Sequence, residues 1–432
     1  MNKEDMNGFL ALGKDLGQEY ALFTYLIETP IDPVTAGAHL CQEQSTAQWH
    51  RVGVEEDFRE KYGAKVVSCK TLEVNSKPKI QAFVEGEKYT IAEIKIAHPT
   101  INFGPKIPNL ITAAAGEGAF HCPAVNTIKL VNVELPEKYL RAFEGPKFGL
   151  KGLRRVMKVK DRPFFFGVVK PNIGLPPKPF AELAYQAWKG GLDACKDDEL
   201  LSDVEYSPLK KRLELVLEKM FKAEQETGEK KMFVANITDE VDRVLELHDL
   251  VAGMGGNAVM VNAFPVGLSG VRMLAKKTKI PVVAHFDFIA PFTRMPYFGV
   301  KSELITRLQR LAGCDAIIMP GLGKRMLVAE EEVKENVKAC LYDMKNIQPC
   351  LPVPGGSDWA GSLPKMHEAF QTVDFGMVPG RGVFGHPLGP EGGARSLREA
   401  WEALEKGVSL EKHAETHEAL RTAIECFGKK KE

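Results

Sequence analysis

Pro163-Phe-Phe-Phe-Gly-Val-Val-Lys170-Pro-Asn-Ile-Gly174 and, one helical segment later, Gly190-Gly-Leu-Asp193-Ala-Cys-Lys196-Asp-Asp198-Glu199 decide how this chain folds. Each sets a short apolar run directly before charged or turn-forming residues. A strand that is apolar on both faces is buried on both, as in a parallel sheet covered by helices. The unit recurs downstream: the buried-strand candidates are Phe164 to Val169, Leu192 to Cys195, Met232 to Ala235, Ala258 to Val261, Val282 to Ala284, Ala316 to Met319, Cys350 to Val353 and Phe375 to Val378. Amphipathic stretches such as Ala181 to Lys189, Leu209 to Thr227, Glu240 to Ala252 and Glu330 to Lys345 lie between them. Eight β-α repeats over roughly 250 residues match an α/β (β/α)8 TIM barrel, although an open doubly wound sheet alternates in the same way.

Toward the N-terminus that rhythm breaks. An alternating run at Glu19 to Glu28, a helix-like stretch from Asp32, and strand-like segments at Lys65 to Leu72 and Ile91 to Ala97 predict a separate α+β domain. The chain, at 432 residues, has room for that domain and a barrel. Acidic and basic residues balance at 57 each, and only Lys429-Lys-Lys431 forms a basic block, so neither nucleic acid nor a membrane surface is an expected partner. A polar N-terminus and the lack of a bilayer-length apolar run predict a soluble, cytoplasmic protein. Eight scattered cysteines without metal-type spacing read as reduced packing residues.

In a barrel, chemistry sits at the C-terminal ends of the strands. Here those ends carry Lys170-Pro-Asn172, Lys196-Asp-Asp198-Glu199, Asn236, Asn262, His285-Phe-Asp287, Pro320-Gly321, Gly355-Gly356 and Gly380-Arg381-Gly382. Alternation puts Lys196 and Asp198 on one face, with Glu199 opening the loop. Two carboxylates there suit a hard cation such as Mg2+, and a lysine carbamylated by CO2 would add a third anionic oxygen. Alone, a charged string of this kind is usually a solvated run after a strand.

The surroundings reverse that reading. Gly167-Val-Val-Lys170-Pro-Asn-Ile-Gly174-Leu175, Glu43-Gln-Ser-Thr46-Ala-Gln-Trp49, Asn109-Leu-Ile-Thr112, Phe143-Glu-Gly145-Pro and Gly385-His386-Pro387 occur with the metal string in one order along the chain. In this the chain resembles the RuBisCO-like proteins of the RuBisCO superfamily. His285-Phe-Asp-Phe-Ile-Ala290 and Val378-Pro-Gly-Arg381-Gly bring it nearest to the subgroup known from phototrophic bacteria. The resemblance implies a ferredoxin-like α+β domain over 1–145 and a TIM barrel with C-terminal helices over 146–432. By the same resemblance Lys196 is the carbamylated lysine, Asp198 and Glu199 are its companion Mg2+ ligands, and Lys170 exchanges protons with substrate. A lysine beside a divalent cation is expected to have a depressed pKa and to act as a neutral base. A homodimer is also implied, in which Glu43, Gln48, Trp49 and Glu117 complete the partner's site.

The departures from the family are equally informative. Asn172 stands for a second lysine, while Asp287 and Phe288 stand for a histidine and for the arginine that grips the distal phosphate. Met319 replaces a phosphate-binding histidine, and the loop Pro320-Gly-Leu-Gly323-Lys324-Arg325 is short. Gln48 replaces a phosphate-contacting threonine, and Glu117 replaces an asparagine. Glu117 would be either a general acid or base or a partner that tunes Lys170, and Asp287 joins Lys170 and Glu117 as a catalytic candidate. Gly355, Gly356 and Gly380 would still cradle one phosphate, with Arg381 beside it, and His285 is either a substrate contact or a satisfied core histidine. A carboxylase must hold a bisphosphate at both ends, so the expectation is a Mg2+-dependent enolase or isomerase. Its substrate would be a small phosphorylated ketose or diketone, with a methylthio-sugar phosphate of methionine salvage or sulfur metabolism as the analogy. The alternatives are a non-catalytic ligand-binding or stress-response protein and, further off, a true ribulose-bisphosphate carboxylase.

Overall fold

Asp32 starts the first long helix, Pro33–Glu43: its Oδ2 accepts the Thr35 N–H at 2.8 Å, and Pro33 fills the first turn, where no intrahelical donor is needed. The computed structural model describes residues 3–47, 53, 57–118, 122 and 124–428. Contacts divide it into two units, Met1–Glu144 with Ile289–Leu308, and Gly145–Phe288 with Gln309–Glu432.

In the first unit, strands β1 (Tyr20–Thr29), β2 (Lys65–Asn75), β3 (Tyr89–Pro99) and β4 (Thr127–Glu134) pair antiparallel in the order β4-β1-β3-β2. The helix Pro33–Glu43 links β1 to β2 and the helix Ile107–Ala115 links β3 to β4. This is the βαββαβ ferredoxin-like arrangement. Phe23, Tyr25 and Ile27 of β1 and Ile91, Ile94 and Ile96 of β3 are buried.

The second unit is built on β5 (Phe164–Val168), β6 (Ala194–Lys196), β7 (Met232–Asn236), β8 (Ala258–Asn262) and β9 (Val282–His285). After β10 (Gly299–Val300), which instead pairs parallel with β4 in the first sheet, β11 (Ala316–Pro320), β12 (Leu351–Gly355) and β13 (Gly376–Met377) complete it. The eight strands are parallel in the order β12-β11-β9-β8-β7-β6-β5-β13, and the end strands β12 and β13 lie against each other. The α/β barrel expected from the repeats is therefore present. The eighth strand is shorter than its apolar run, two residues instead of four.

Alternate residues fill the barrel: Phe164 and Phe166, Met232 and Val234, Ala258 and Met260, Ala316 and Ile318, and Leu351 and Val353 form one buried cluster. Leu150, Leu153 and Met157 of the helix Gly149–Met157 belong to the same cluster. Residues between them, such as Phe165, Phe233, Val259 and Ile317, are equally buried, so the strands read as continuous apolar runs rather than alternating ones.

Two carboxylates lock the opposite rim, at the N-terminal ends of the strands. Asp193, just before β6, accepts the Phe165 N–H at 2.8 Å and both Arg162 Nη atoms at 2.7 Å. Asp315, just before β11, accepts the N–H groups of Phe148 at 2.6 Å, Gly149 at 2.7 Å and Val282 at 2.9 Å. Among the described residues, no helix is long and apolar enough to cross a membrane.

Candidate active site at the barrel mouth

Side chains alternate along β6 and its exit, so Lys196 and Asp198 face one way and Asp197 the other. Asp197 is buried against Arg212 of the helix Leu209–Thr227, with Arg212 Nε donating to Oδ1 at 2.9 Å and Nη2 to Oδ2 at 3.2 Å. Burial pushes the Asp197 carboxyl up while Arg212 opposes it. Asn236, at the end of β7, fixes the next two residues: its backbone N–H donates to Asp197 Oδ2 at 2.9 Å, and its Nδ2 donates to the Asp198 and Glu199 carbonyls at 3.2 and 3.0 Å. Asn262 Nδ2, from β8, also reaches the Glu199 carbonyl at 3.0 Å. The loop that presents the two metal-type carboxylates is thus held by its main chain; the Glu199 side chain lines the mouth, while Asp198 is buried, with Oδ1 accepting the Leu200 N–H at 3.2 Å.

Lys170 Nζ donates to Asp198 Oδ2 at 2.9 Å and to Asn172 Oδ1 at 2.7 Å. Lys196, almost completely buried, donates from Nζ to Glu199 Oε2 at 3.1 Å and to the Asp197 carbonyl at 2.8 Å. Glu199 Oε2 is also 3.4 Å from His285 Nε2, and His285 Nδ1 is 3.4 Å from Asp287 Oδ1. Burial pushes the Glu199 carboxyl up, but Lys196 and then His285 outweigh it and hold the group down at about 2. Lys170, Asn172, Lys196, Glu199, His285, Gly355, Gly356, Gly380 and Arg381 line one cavity of ≈ 530 Å3. Phe288 follows at φ 66° and is largely exposed.

Mg2+ suits this donor set. Asp198 and Glu199 supply hard carboxylate oxygens, and the Lys196 amine precedes both in sequence and lies beside Glu199 in space. Asn262 Oδ1 and His285 Nδ1 are buried there without a hydrogen-bond partner among the described residues. Glu199, His285 and Asp287 bring ligand atoms within 4.8 Å of one another, so Glu199 is common to the set expected from sequence and to this second grouping.

At the far side of the cavity the glycines serve close approach. A Cβ on Gly355 would lie 2.4 Å from Val378 Cγ1, and one on Gly380 would lie 2.7 Å from Lys170 Cε. The Gly356 N–H is donated to Asp358 Oδ2 at 3.0 Å. Asp358 is buried, which pushes its carboxyl up to about 6 against that hydrogen bond. Arg325 and Ser357 also line the cavity. The sequence marks Arg325 only as part of a short loop, and Ser357 and Asp358 carry no signal there except that they follow two glycines.

Residues 149–427 match the ribulose bisphosphate carboxylase large chain, catalytic domain, and residues 18–139 match its N-terminal domain. The chain belongs to the RuBisCO large-chain family. Within it, the chain is 53% identical over 427 residues, 98% of each chain, to a ribulose bisphosphate carboxylase-like protein of Chlorobaculum tepidum. It is 32% identical to a 3-oxo-isoapionate-4-phosphate decarboxylase of Rhizobium etli, over 94% of this chain and 98% of that one. Among solved structures, octameric RuBisCO from Pyrococcus horikoshii superposes with a TM-score of 0.89 at 29% identity, covering 99% of this chain and 98% of that one. The RuBisCO-like protein MtnW of Alicyclobacillus acidocaldarius superposes with a TM-score of 0.85 at 26% identity, covering 94% and 99%.

The family's N-terminal candidates fall in the first unit. Glu43 and Glu117 line one cavity of ≈ 630 Å3 with Gln44, His98, Asn109 and Thr112. Gln48 and Trp49 lie outside the described residues.

Proposed function

We propose that this RuBisCO-like protein is a Mg2+-dependent enolase or isomerase that takes the proton next to a carbonyl of a singly phosphorylated ketose or diketone. The observation that carries this reading is the Lys170 amine, which opens into the cavity 2.9 Å from Asp198 and shares that cavity with Lys196 and Glu199. Asp198, Glu199 and a carbamate on Lys196 would hold Mg2+. When bound, the ion supplies Lewis acidity toward the substrate carbonyl.

Carbamylation would replace the Lys196 ammonium by an anion, ending its pair with Glu199 and freeing that carboxylate. Lys170 Nζ is the proton acceptor, aimed by Asn172, and Glu117 of a partner subunit is the second acid–base candidate. Gly380, Arg381 and Arg325 receive one phosphate. Phe288, in place of a cation, leaves the other end of the substrate without a phosphate partner, and this supports a reading other than carboxylation. A homodimer whose Glu43, Gln48, Trp49 and Glu117 close the neighbouring mouth completes the proposal.

A methylthio-bearing sugar phosphate, the analogy that the family resemblance offers, is the first compound to test. The Rhizobium relative supports a second reading within the same chemistry, because decarboxylation of a 3-oxo acid also leaves an electron pair next to a carbonyl. The deciding experiment is deuterium exchange from solvent into phosphorylated ketoses and diketones with Mg2+ and bicarbonate. Exchange lost in Lys170→Ala and in Lys196→Ala is the expected result, and exchange indifferent to both overturns the assignment. Steady incorporation of labelled bicarbonate into acid-stable product from ribulose 1,5-bisphosphate would instead restore a carboxylase.

A further inference from the structure

The C-terminal helices gather a second set of ligand atoms that shares no residue with the barrel mouth. Glu402 lies near the end of the helix Gly389–Glu405, His413 on the helix Leu410–Ala414, and His417 just before the helix Glu418–Ala423. One ligand atom from each lies within 4.8 Å of the other two. We propose that Glu402, His413 and His417 form a site for a divalent transition-metal ion of the zinc type.

His413 is buried, and its Nε2 has no hydrogen-bond partner among the described residues, yet it stands 3.7 Å from Glu402 Oε2. Ligand atoms around a tetrahedral zinc, at bonds of about 2.0–2.1 Å, are roughly 3.3–3.4 Å apart, so this pair needs to close by only a few tenths of an ångström. His417 Nδ1 lies 2.7 Å from the His413 carbonyl oxygen, which can only accept. The proton therefore sits on Nδ1 and the lone pair on Nε2, the tautomer that a backbone carbonyl sets for a metal-binding histidine.

The two rings stack with centroids 3.7 Å apart, and a shared ion requires them to turn out of that stack. For His413 Nε2 the turn sacrifices no hydrogen bond. Lys406 Nζ, 3.6 Å from Glu402 Oε2, is on an exposed side chain that can swing away when an ion arrives. Glu399, one turn before Glu402, stands outside this set, its carboxylate accepting the Leu420 N–H at 2.7 Å. Two imidazoles and one carboxylate favour Zn2+, Co2+ or Ni2+ over Mg2+, and three protein ligands leave a position for water. Occupied, the site would clip the segment 410–423 to the helix before it.

The test is equilibrium dialysis of the full chain against ZnCl2 in excess Mg2+, with the metal-free melting temperature as the control for folding. Wild type should bind one more zinc than His417→Gln. Glu402→Gln, altered at a half-exposed position that keeps the fold, should bind that zinc at least about tenfold more weakly. Zinc held by Glu199, His285 and Asp287 would be the same in all three proteins and cancels in the comparison. Equal zinc uptake by wild type and His417→Gln, or unchanged affinity in Glu402→Gln, overturns the proposal.

Discussion

Lys170 and Asp198 meet at 2.9 Å from the ends of neighbouring strands, with the carboxylate fully buried and the amine open to the cavity. Replacing Lys170 by Ala should lower substrate proton exchange by at least about a hundredfold, and Arg should not rescue it, because guanidinium does not give up its proton. The same Lys170→Ala change leaves Asp198 without its cation and should cost the metal-free protein about 1–3 kcal/mol. Urea midpoints in chelator, compared with exchange rates followed by NMR, separate the two effects.

Gly380→Ala tests whether the position of that amine matters as well as its presence. The added methyl meets the flexible end of Lys170 at 2.7 Å, so the fold should survive while Nζ is displaced. A misplacement of about an ångström can cost a hundredfold in rate. The expected result is a melting temperature near wild type with exchange strongly reduced, and wild-type exchange would show that Lys170 has room to spare.

Asp358 gives the site a pH dependence. Its carboxyl, raised to about 6 in the folded chain, lies above the ordinary unfolded value near 4. The ionised form therefore opposes folding above pH ~6, and that opposition disappears as pH falls toward ~4. Asp358→Asn should stabilise the protein by about 1–3 kcal/mol at pH ~7.5 and by nothing near pH ~4. Sulfate, whose charge is constant over this range, should bind wild type more tightly as pH drops through ~6, while the Asp358→Asn variant stays flat. Calorimetric titration at several pH values reads both curves.

The buried pair Asp197 and Arg212 should behave asymmetrically. Arg212→Met strands a carboxylate that has no solvent access, at a cost of about 3–5 kcal/mol, whereas changing both partners to apolar residues should cost less. Denaturant midpoints of the two single substitutions and the double substitution form the cycle that checks this.

How much of this is legible in the sequence depends on how local the signal is. β7, β8, β9 and β11 begin where their apolar runs begin, because a strand buried on both faces announces itself in four or five consecutive residues. β10 has no such signature: two residues in length, it exists through its pairing with Lys129 and Leu130, far back in the chain. The mouth divides in the same way. Lys170, Asn172, Lys196 and Glu199 stand in short motifs and do line one cavity. Arg212 is deducible in principle, since alternation turns Asp197 toward the outer helices, where a buried carboxylate needs a cation. The capture of the Gly356 N–H by Asp358 depends on how a loop folds back on itself, and a pair of glycines reads the same with or without it.

The anchors of the strand ring, Asp193 and Asp315, grip backbone N–H groups at the rim opposite the chemistry. Mutational drift at the reactive rim therefore spends little of the scaffold's folding reserve, so one architecture tolerates the exchange of one substrate for another. The upper loops can then take on a new ligand while Asp193 and Asp315 go on holding the frame beneath them.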